Sequence, residues 1–73
     1  MTGFFIKIST YGSTTPNIIT EKVFQQAEQG KNYLNPDDYD FLCDAESVQE
    51  AEEFYYNKVG EEQMIAYFES FHP

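Results

Sequence analysis

Residues 47–50 constrain the fold of this chain more than any other segment, because they mark where a helix must begin. In a capping box of this kind, the oxygen of Ser47 accepts the amide of Glu50, and the glutamate reaches back to the serine amide. Apolar residues then recur at helical spacing at Val48, Ala51, Tyr55 and Val59, with Phe54 beside them. The pattern predicts a helix that packs one face against the rest of the protein.

Gly60 follows this apolar face, and glycine inside a helix costs about 1 kcal/mol relative to alanine. We therefore expect the helix to break or bend at Gly60. A further apolar stripe predicts a last helix that runs to about Ser70, and its members are Met64, Ile65, Phe68 and Phe71. His72 and Pro73 would follow the end of that helix.

Residues 4–11 predict a strand, because they are rich in β-branched and aromatic side chains and alternate with a period of two. This alternation places Phe4, Ile6 and Ile8 on one face, which we expect to be buried.

Residues 12–16 have the composition of a turn, with Thr15 suited to cap a helix and Pro16 to its first position. That helix would end at Gly30, because glycine readily adopts the left-handed conformation that closes helices. Its apolar face would comprise Ile19, Val23 and Ala27, flanked by Ile18 and Phe24. The two adjacent isoleucines also suit a strand, so the first residue of the helix stays open.

Residues 31–36 predict a loop, with Tyr33 and Leu34 packed against the core. Tyr39, Phe41 and Cys43 then alternate with a second set that is acidic except for Leu42, which favours a short strand over residues 39–43. The second set comprises Asp38, Asp40, Leu42 and Asp44. A helix capped by Asn35 is the alternative, because proline and two aspartates follow the asparagine. We favour the strand, since the next helix has its own capping box only a few residues later.

These elements predict one compact acidic domain over residues 1–73, of the α+β class. The predicted order is strand, helix, strand, helix, helix, with the helices packed on one face of a two- or three-stranded sheet. Because so small a sheet is weak alone, an exposed sheet edge could serve in a homodimer.

Charge is distributed unevenly along the chain, whose net charge is −9. Residues 37–62 hold ten of the thirteen carboxylates and only Lys58 among the four basic residues. The chain has no arginine, whose planar fork grips phosphates in pairs, so direct binding to nucleic acid is not expected. An anionic membrane would repel the chain, and no apolar run approaches the ~20 residues that span a bilayer.

Catalytic and metal-binding patterns are weak, so we expect no enzyme, metal site or cofactor. Cys43 would lie in a strand and His72 at the chain end, and no glycine-rich phosphate loop is present. An EF-hand loop counted from Asp38 would have Cys43 and Gln49 where glycine and glutamate are needed. The lone cysteine and the lack of a secretory signal predict a cytoplasmic location.

The acidic segment is the feature that points to function, because its carboxylates and tyrosines would share one exposed surface. The predicted partner-binding residues are Asp37, Asp38, Asp40, Asp44, Glu46, Glu50, Glu52, Glu53, Tyr56, Glu61 and Glu62. Glutamates at three- and four-residue steps on a helix can imitate the phosphates of a nucleic acid. The expected partner is therefore a basic surface of a nucleic-acid-binding host protein.

In size, acidity and aromatic content, the chain resembles the small inhibitors that phages encode against restriction, CRISPR or DNA-repair enzymes. This resemblance to a class implies an inhibitor that mimics DNA or RNA and implies nothing about fold. Two alternatives stay open. In the first, the carboxylates only solvate the surface, which is the usual role of charge runs. In the second, the chain is an assembly module that uses an apolar or sheet-edge interface.

Overall fold

A computed structural model of the chain describes the backbone of residues 1–71 and the side chains of residues 1–64. Three strands, β1 (Thr2–Lys7), β2 (Ile18–Thr20) and β3 (Tyr39–Ala45), form an antiparallel sheet in the order β2-β1-β3. Two helices, α1 (Glu21–Glu28) and α2 (Val48–Phe71), pack against it, and 3-10 turns occupy Ile8–Thr10 and Pro36–Asp38. The predicted α+β class is confirmed.

The order of elements is strand, strand, helix, strand, helix, which differs from the predicted order at β2. Ile19 lies opposite Phe5 of β1, so the alternative in which the two isoleucines form a strand is the correct one. Helix α1 begins only after Thr20, whose Oγ1 accepts the amide of Val23 at 3.3 Å. Thr15 therefore caps no helix, because pairing with β1 holds the following residues extended.

Strand β1 confirms the predicted strand but is displaced toward the N-terminus. It ends at Lys7, where the chain enters a 3-10 turn, and Thr10 Oγ1 donates to the Lys7 carbonyl at 2.7 Å. Phe4 and Ile6 are buried as predicted. Ile8 is 49% exposed, because the alternation that would have buried it stops one residue earlier.

The two helices cover opposite faces of the sheet, whereas the sequence predicted helices on one face. Phe4 and Phe5 are neighbours in β1, so their side chains point to opposite faces. Phe4 belongs to the core formed with Ala51, Tyr55 and Val59 of α2, while the ring of Phe5 stacks on Phe24 of α1 with centroids 4.0 Å apart. Two thin apolar layers thus enclose the sheet, and both use the aromatic residues of β1.

Strand β3 confirms the predicted strand and contains an irregularity that changes its alternation. Phe4 lies opposite Cys43 and Phe5 opposite Phe41, which leaves Leu42 as the extra residue of a β-bulge. The bulge brings Leu42 into the buried core, where the simple alternation had placed it on the acidic side. Phe41 is 57% exposed as a result, with its ring edge-on to Phe5 at 5.5 Å.

Helix α2 runs through Gly60 without a break, so the prediction of two helices here is wrong. The cost of one helical glycine is about 1 kcal/mol, which a continuous ladder of backbone hydrogen bonds outweighs. Within the predicted apolar stripes, Val48 and Met64 are exposed, and so is the flanking Phe54. Ala51, Tyr55 and Val59 are buried as predicted. The side chains of the rest of the second stripe, Ile65, Phe68 and Phe71, lie outside the described residues, as does His72.

The connection between α1 and β3 confirms one prediction and corrects another. Gly30 adopts the expected left-handed conformation, with φ of 72°. Tyr33 is fully exposed rather than packed on the core, because Asn32 donates to the Val23 carbonyl at 3.1 Å and accepts the Leu34 amide at 3.0 Å. These bonds turn Leu34 toward the protein and leave Tyr33 outside.

In the part of the chain that is described, neither helix is long and apolar enough to cross a membrane.

Candidate protein-interaction surfaces

All ten carboxylates of residues 37–62 are exposed, but the fold divides them among four places. Asp37 and Asp38 lie in the 3-10 turn before β3, and Asp40 and Asp44 lie on β3 itself. Glu46 lies between β3 and α2. The other five are carried by α2, and they are Glu50, Glu52, Glu53, Glu61 and Glu62.

The capping box at the start of α2 is present with one change from the predicted geometry. The Glu50 amide donates to Ser47 Oγ at 3.2 Å, as the sequence predicted. The Glu50 carboxylate accepts the amide of Glu46 at 3.0 Å, one residue before the serine amide that it was expected to reach. A carboxylate in this position also stabilises α2 by its attraction to the positive end of the helix dipole. Glu50 is thus a structural residue as well as a surface charge.

Three glutamates of α2 form an outer row, which we define as Glu50, Glu53 and Glu61. At ~100° per residue they lie roughly 120–160° around the helix from Tyr55, the fully buried residue of the inward face. The outer row therefore faces away from the sheet. Glu52 is exposed on a flank of α2, about 60° from Tyr55 and about 100° from Glu53.

Glu62 does not belong with the outer row, although the sequence placed it on the same acidic surface. It follows Tyr55 by seven residues, or two helical turns, and so lies over the inward side of α2. There the hydroxyl of Tyr11 donates to both carboxylate oxygens of Glu62 at 2.8 Å. Partial desolvation, together with this hydrogen bond and the charge of Glu62, raises the pKa of Tyr11 above its ordinary value.

Three tyrosines, Tyr11, Tyr55 and Tyr56, form a tyrosine cluster that fixes the loop of residues 8–17 to α2. Their rings meet edge-on, with centroids 5.8 Å apart for Tyr11 and Tyr55 and 5.2 Å apart for Tyr55 and Tyr56. The Tyr55 hydroxyl accepts the Gly12 amide at 2.8 Å and donates to the Ser13 carbonyl at 2.7 Å. A single buried side chain therefore satisfies two backbone groups of the loop.

Tyr56 has a structural role in addition to its predicted one. Its hydroxyl donates to the carbonyl of Thr14 at 2.9 Å, so only part of the ring is available to a partner. The sequence had identified neither this contact nor the role of Tyr11, which it assigned to a strand. The partners of Tyr11 and Tyr56 lie 51 and 42 residues away along the chain, and no local pattern reports such contacts.

A groove beside β3, here called the edge groove, is a second candidate surface that the sequence did not identify. It has a volume of about 450 Å³, and Ile8, Leu42 and Phe41 contribute its apolar wall. Asp40 and Lys58 contribute its charged groups. Lys58 Nζ lies 5.9 Å from the ring centroid of Phe54, which is at the outer limit of a cation–π contact.

Cys43 is a poor nucleophile in this fold. It is half-buried in β3, and desolvation, with a smaller effect of the neighbouring Asp44 carboxylate, raises the pKa of its thiol. A thiol with a raised pKa holds little of the reactive thiolate at neutral pH. Among the described residues, no three histidine, cysteine or acidic side chains are placed to hold a metal ion together.

Comparison with known proteins identified no relative, because the chain matches no protein-family model, no curated protein and no solved structure.

Proposed function

We propose that the chain is a non-enzymatic acidic binding protein that inhibits a nucleic-acid-handling protein by occupying its basic surface. The observation that carries the proposal is the exposure of all ten carboxylates of residues 37–62. None of their side chains is buried within the fold, so each can meet a cation of a partner. Charges displayed in this way speed association with a basic groove and make binding sensitive to salt.

The charge spacing on α2 supports a nucleic-acid mimic. The outer row together with Glu52 gives four carboxylates between Glu50 and Glu61. At ~1.5 Å per residue, these four charges span about 16 Å of helix axis, with a mean spacing of about 5.5 Å. One strand of a DNA duplex carries a charge every ~3.4 Å, so α2 carries its charges at roughly 60% of that density. A groove shaped for a phosphate backbone therefore has counterparts for its cations along α2.

The contrast between the two helices distinguishes this proposal from simple solvation. Helix α1 places Lys22 between Glu21 and Glu28, the mixture of signs that is typical of a solvated surface. Over its first seventeen residues, α2 carries five glutamates and only Lys58. Solubility requires no such separation, because interspersed charges of both signs serve it equally well.

The partner class follows from the charge and from the resemblance to phage inhibitors. Proteins that bind DNA or RNA provide grooves rich in lysine and arginine, and bacterial restriction, CRISPR and repair enzymes are of this kind. We place the chain in that setting, as a protein that acts inside the cell and blocks a defence or repair enzyme without touching nucleic acid itself.

The proposal is tested with two variants that remove the same charge from different helices. In E53Q/E61Q the outer row loses two carboxylates that make no hydrogen bond among the side chains described, residues 1–64, while Glu50 and Glu62 keep their structural bonds. The matched control, E21Q/E28Q, removes two charges from α1. Immobilised chains are presented with the DNA-binding fraction of a bacterial extract, and the affinity of each retained protein is then measured by titration.

A nucleic-acid-handling protein should bind the unmodified chain and dissociate as salt rises from ~50 to ~200 mM. At ~0.2–1 kcal/mol for each exposed ion pair, E53Q/E61Q should weaken its binding roughly 2- to 30-fold. The control E21Q/E28Q should bind like the unmodified chain. Equal affinity for all three proteins, or binding that persists unchanged in high salt, would count against the acidic surface of α2.

A further inference from the structure

The outer edge of β3 is open. One edge of this strand pairs with β1, and no strand of the described residues 1–71 pairs with the other. Because β3 has seven residues, several backbone N–H and C=O groups point along that edge without a sheet partner. A strand edge of this length is a template for another extended chain, which can join the sheet through main-chain hydrogen bonds.

The edge groove adjoins β3 on the face of the sheet that α2 covers, and its lining also includes Ile6, Ile8 and Tyr11. Asp40, Phe41 and Leu42 are consecutive residues of β3, and all three contribute to the groove lining. Its volume of about 450 Å³ falls within the ~300–1,000 Å³ of sites that hold small ligands, which is room for several side chains. An added strand would therefore find both backbone partners and a place for its alternate side chains.

The charges along the open edge of β3 indicate what kind of segment could bind there. Asp37 and Asp38 stand immediately before β3, and Asp40 and Asp44 stand on it, all four exposed. A smaller cavity that brings Lys7 together with the first two aspartates provides one cation, and Lys58 provides another in the groove. The acidic side chains outnumber these lysines, so the edge is complementary to a basic segment.

A second copy of the chain is a poor occupant. If two β3 strands paired along their open edges, Asp40 and Asp44 of both copies would come to the same interface, Asp40 on the face of Ile6 and Asp44 on the face of Gly3. Each chain also carries a net charge of −9, so the two copies repel one another. The homodimer that an exposed edge suggested from the sequence is therefore disfavoured on this edge.

We propose that β3 and the edge groove bind an extended basic segment of a partner protein, which joins the sheet as a fourth strand beside β3. The segment would alternate lysine or arginine with apolar side chains. The aspartates of β3 point to opposite faces of the sheet, because Asp40 lies opposite Ile6 and Asp44 lies opposite Gly3. Cations on one face of the added strand would meet Asp44, and apolar side chains on the other face would enter the groove beside Leu42. This site is separate from the outer row of α2, and the proposal holds whether or not the chain mimics nucleic acid.

The probe is a synthetic seven-residue peptide that alternates lysine and valine and carries a fluorescent label. Its control has the same sequence with alternate backbone nitrogens methylated, which removes hydrogen-bond donors and keeps every charge. Fluorescence anisotropy gives both affinities for the unmodified chain. The unmodified peptide should bind at least about tenfold more tightly, since roughly three net hydrogen bonds are lost on methylation. It should also slow amide hydrogen exchange within β3.

Charge variants localise the site. D40K/D44K should weaken binding of the lysine–valine peptide roughly fivefold or more, while E53K/E61K, with the same change in net charge on α2, should alter it less than about twofold. Lys58→Met should strengthen it, because the groove loses its own cation. Circular dichroism verifies that each variant is folded.

Three outcomes would overturn the proposal. Equal affinity for the methylated and unmethylated peptides would mean that charge alone attracts them. Equal losses in D40K/D44K and E53K/E61K would mean that the peptide has no preferred surface. Concentration-dependent dimers that protect β3 amides without peptide would identify a second copy as the occupant.

Discussion

Tyr55→Phe removes one oxygen atom from the centre of the tyrosine cluster and leaves the ring in place. Tyr55 is fully buried, and its hydroxyl bridges the Gly12 amide and the Ser13 carbonyl at 2.8 and 2.7 Å. The substitution leaves both backbone groups without this partner. Because an unsatisfied, partly buried polar group costs ~1–3 kcal/mol, we expect the free energy of unfolding to fall by about 1–3 kcal/mol.

Tyr56→Phe is the matched control, because it removes the same atom from the neighbouring residue. The Tyr56 hydroxyl makes one exposed hydrogen bond, to Thr14 at 2.9 Å, and water can replace phenol there. Its loss should cost about 0.5 kcal/mol or less. Urea unfolding followed by circular dichroism measures all three proteins, with unchanged slopes as the sign that only stability has changed.

Amide hydrogen exchange adds a local readout for the same pair. In Tyr55→Phe the Gly12 amide should exchange faster, because its acceptor is gone, while amides of β1 away from the loop change only with global stability. A free energy of unfolding for Tyr55→Phe within about 0.5 kcal/mol of that of the unmodified chain would contradict the bridging role of the Tyr55 hydroxyl, and so would an equal loss in Tyr56→Phe.

The remaining predictions concern four other positions, Gly60, Gly12, Tyr11 and Cys43. Gly60→Ala should stabilise α2 by about 0.5–1 kcal/mol, since in the described part of the chain an added Cβ meets no neighbouring atom within 4 Å. Gly12→Ala should destabilise the fold, because Gly12 has a φ of 91°, which alanine rarely adopts. Urea unfolding compares the two variants. Because the folded state raises the pKa of Tyr11, its contribution to stability is complete below the ordinary value of 10.0 and is lost as pH rises through the higher folded value. Unfolding measured up to and above that pH should show this decline, and Tyr11→Phe should reduce it. The native thiol of Cys43 should react with a maleimide at neutral pH more slowly than the thiol in urea, and equal rates would contradict its protection.

Local signals in the sequence predicted the elements whose cause is local. The capping box at Ser47, the strand that begins at Tyr39 and the left-handed Gly30 depend on neighbouring residues, and all three are present. The prediction of a break at Gly60 was wrong because the helix-propensity cost of one glycine, about 1 kcal/mol, is too small to end a helix that is otherwise continuous.

Features that depend on distant residues could not be predicted in this way. Strand β2 forms because Ile19 pairs with Phe5 across the sheet, and the bulge at Leu42 follows from the register in which β3 pairs with β1. The same limit applies to the candidate surfaces. The exposure of the acidic residues followed from their type, but the use of Glu62 by Tyr11 required contact across 51 residues.

The two proposed surfaces make different demands on a partner. The outer row of α2 presents charge alone, so its binding should weaken with salt. The edge groove offers backbone hydrogen bonds and an apolar wall as well, so its binding should keep a salt-independent part. A partner that uses both would bury the acidic half of the chain on two sides, and single-surface variants would each remove part of its affinity.

Competition with duplex DNA is the measurement that tests nucleic-acid mimicry most directly. A protein retained by the immobilised chain from the DNA-binding fraction is titrated with an unlabelled duplex of about 20 base pairs at constant salt. If the chain occupies the nucleic-acid groove, the duplex should release the partner completely, and the chain should in turn displace the partner from immobilised DNA. A stable ternary complex of chain, partner and duplex would contradict the account.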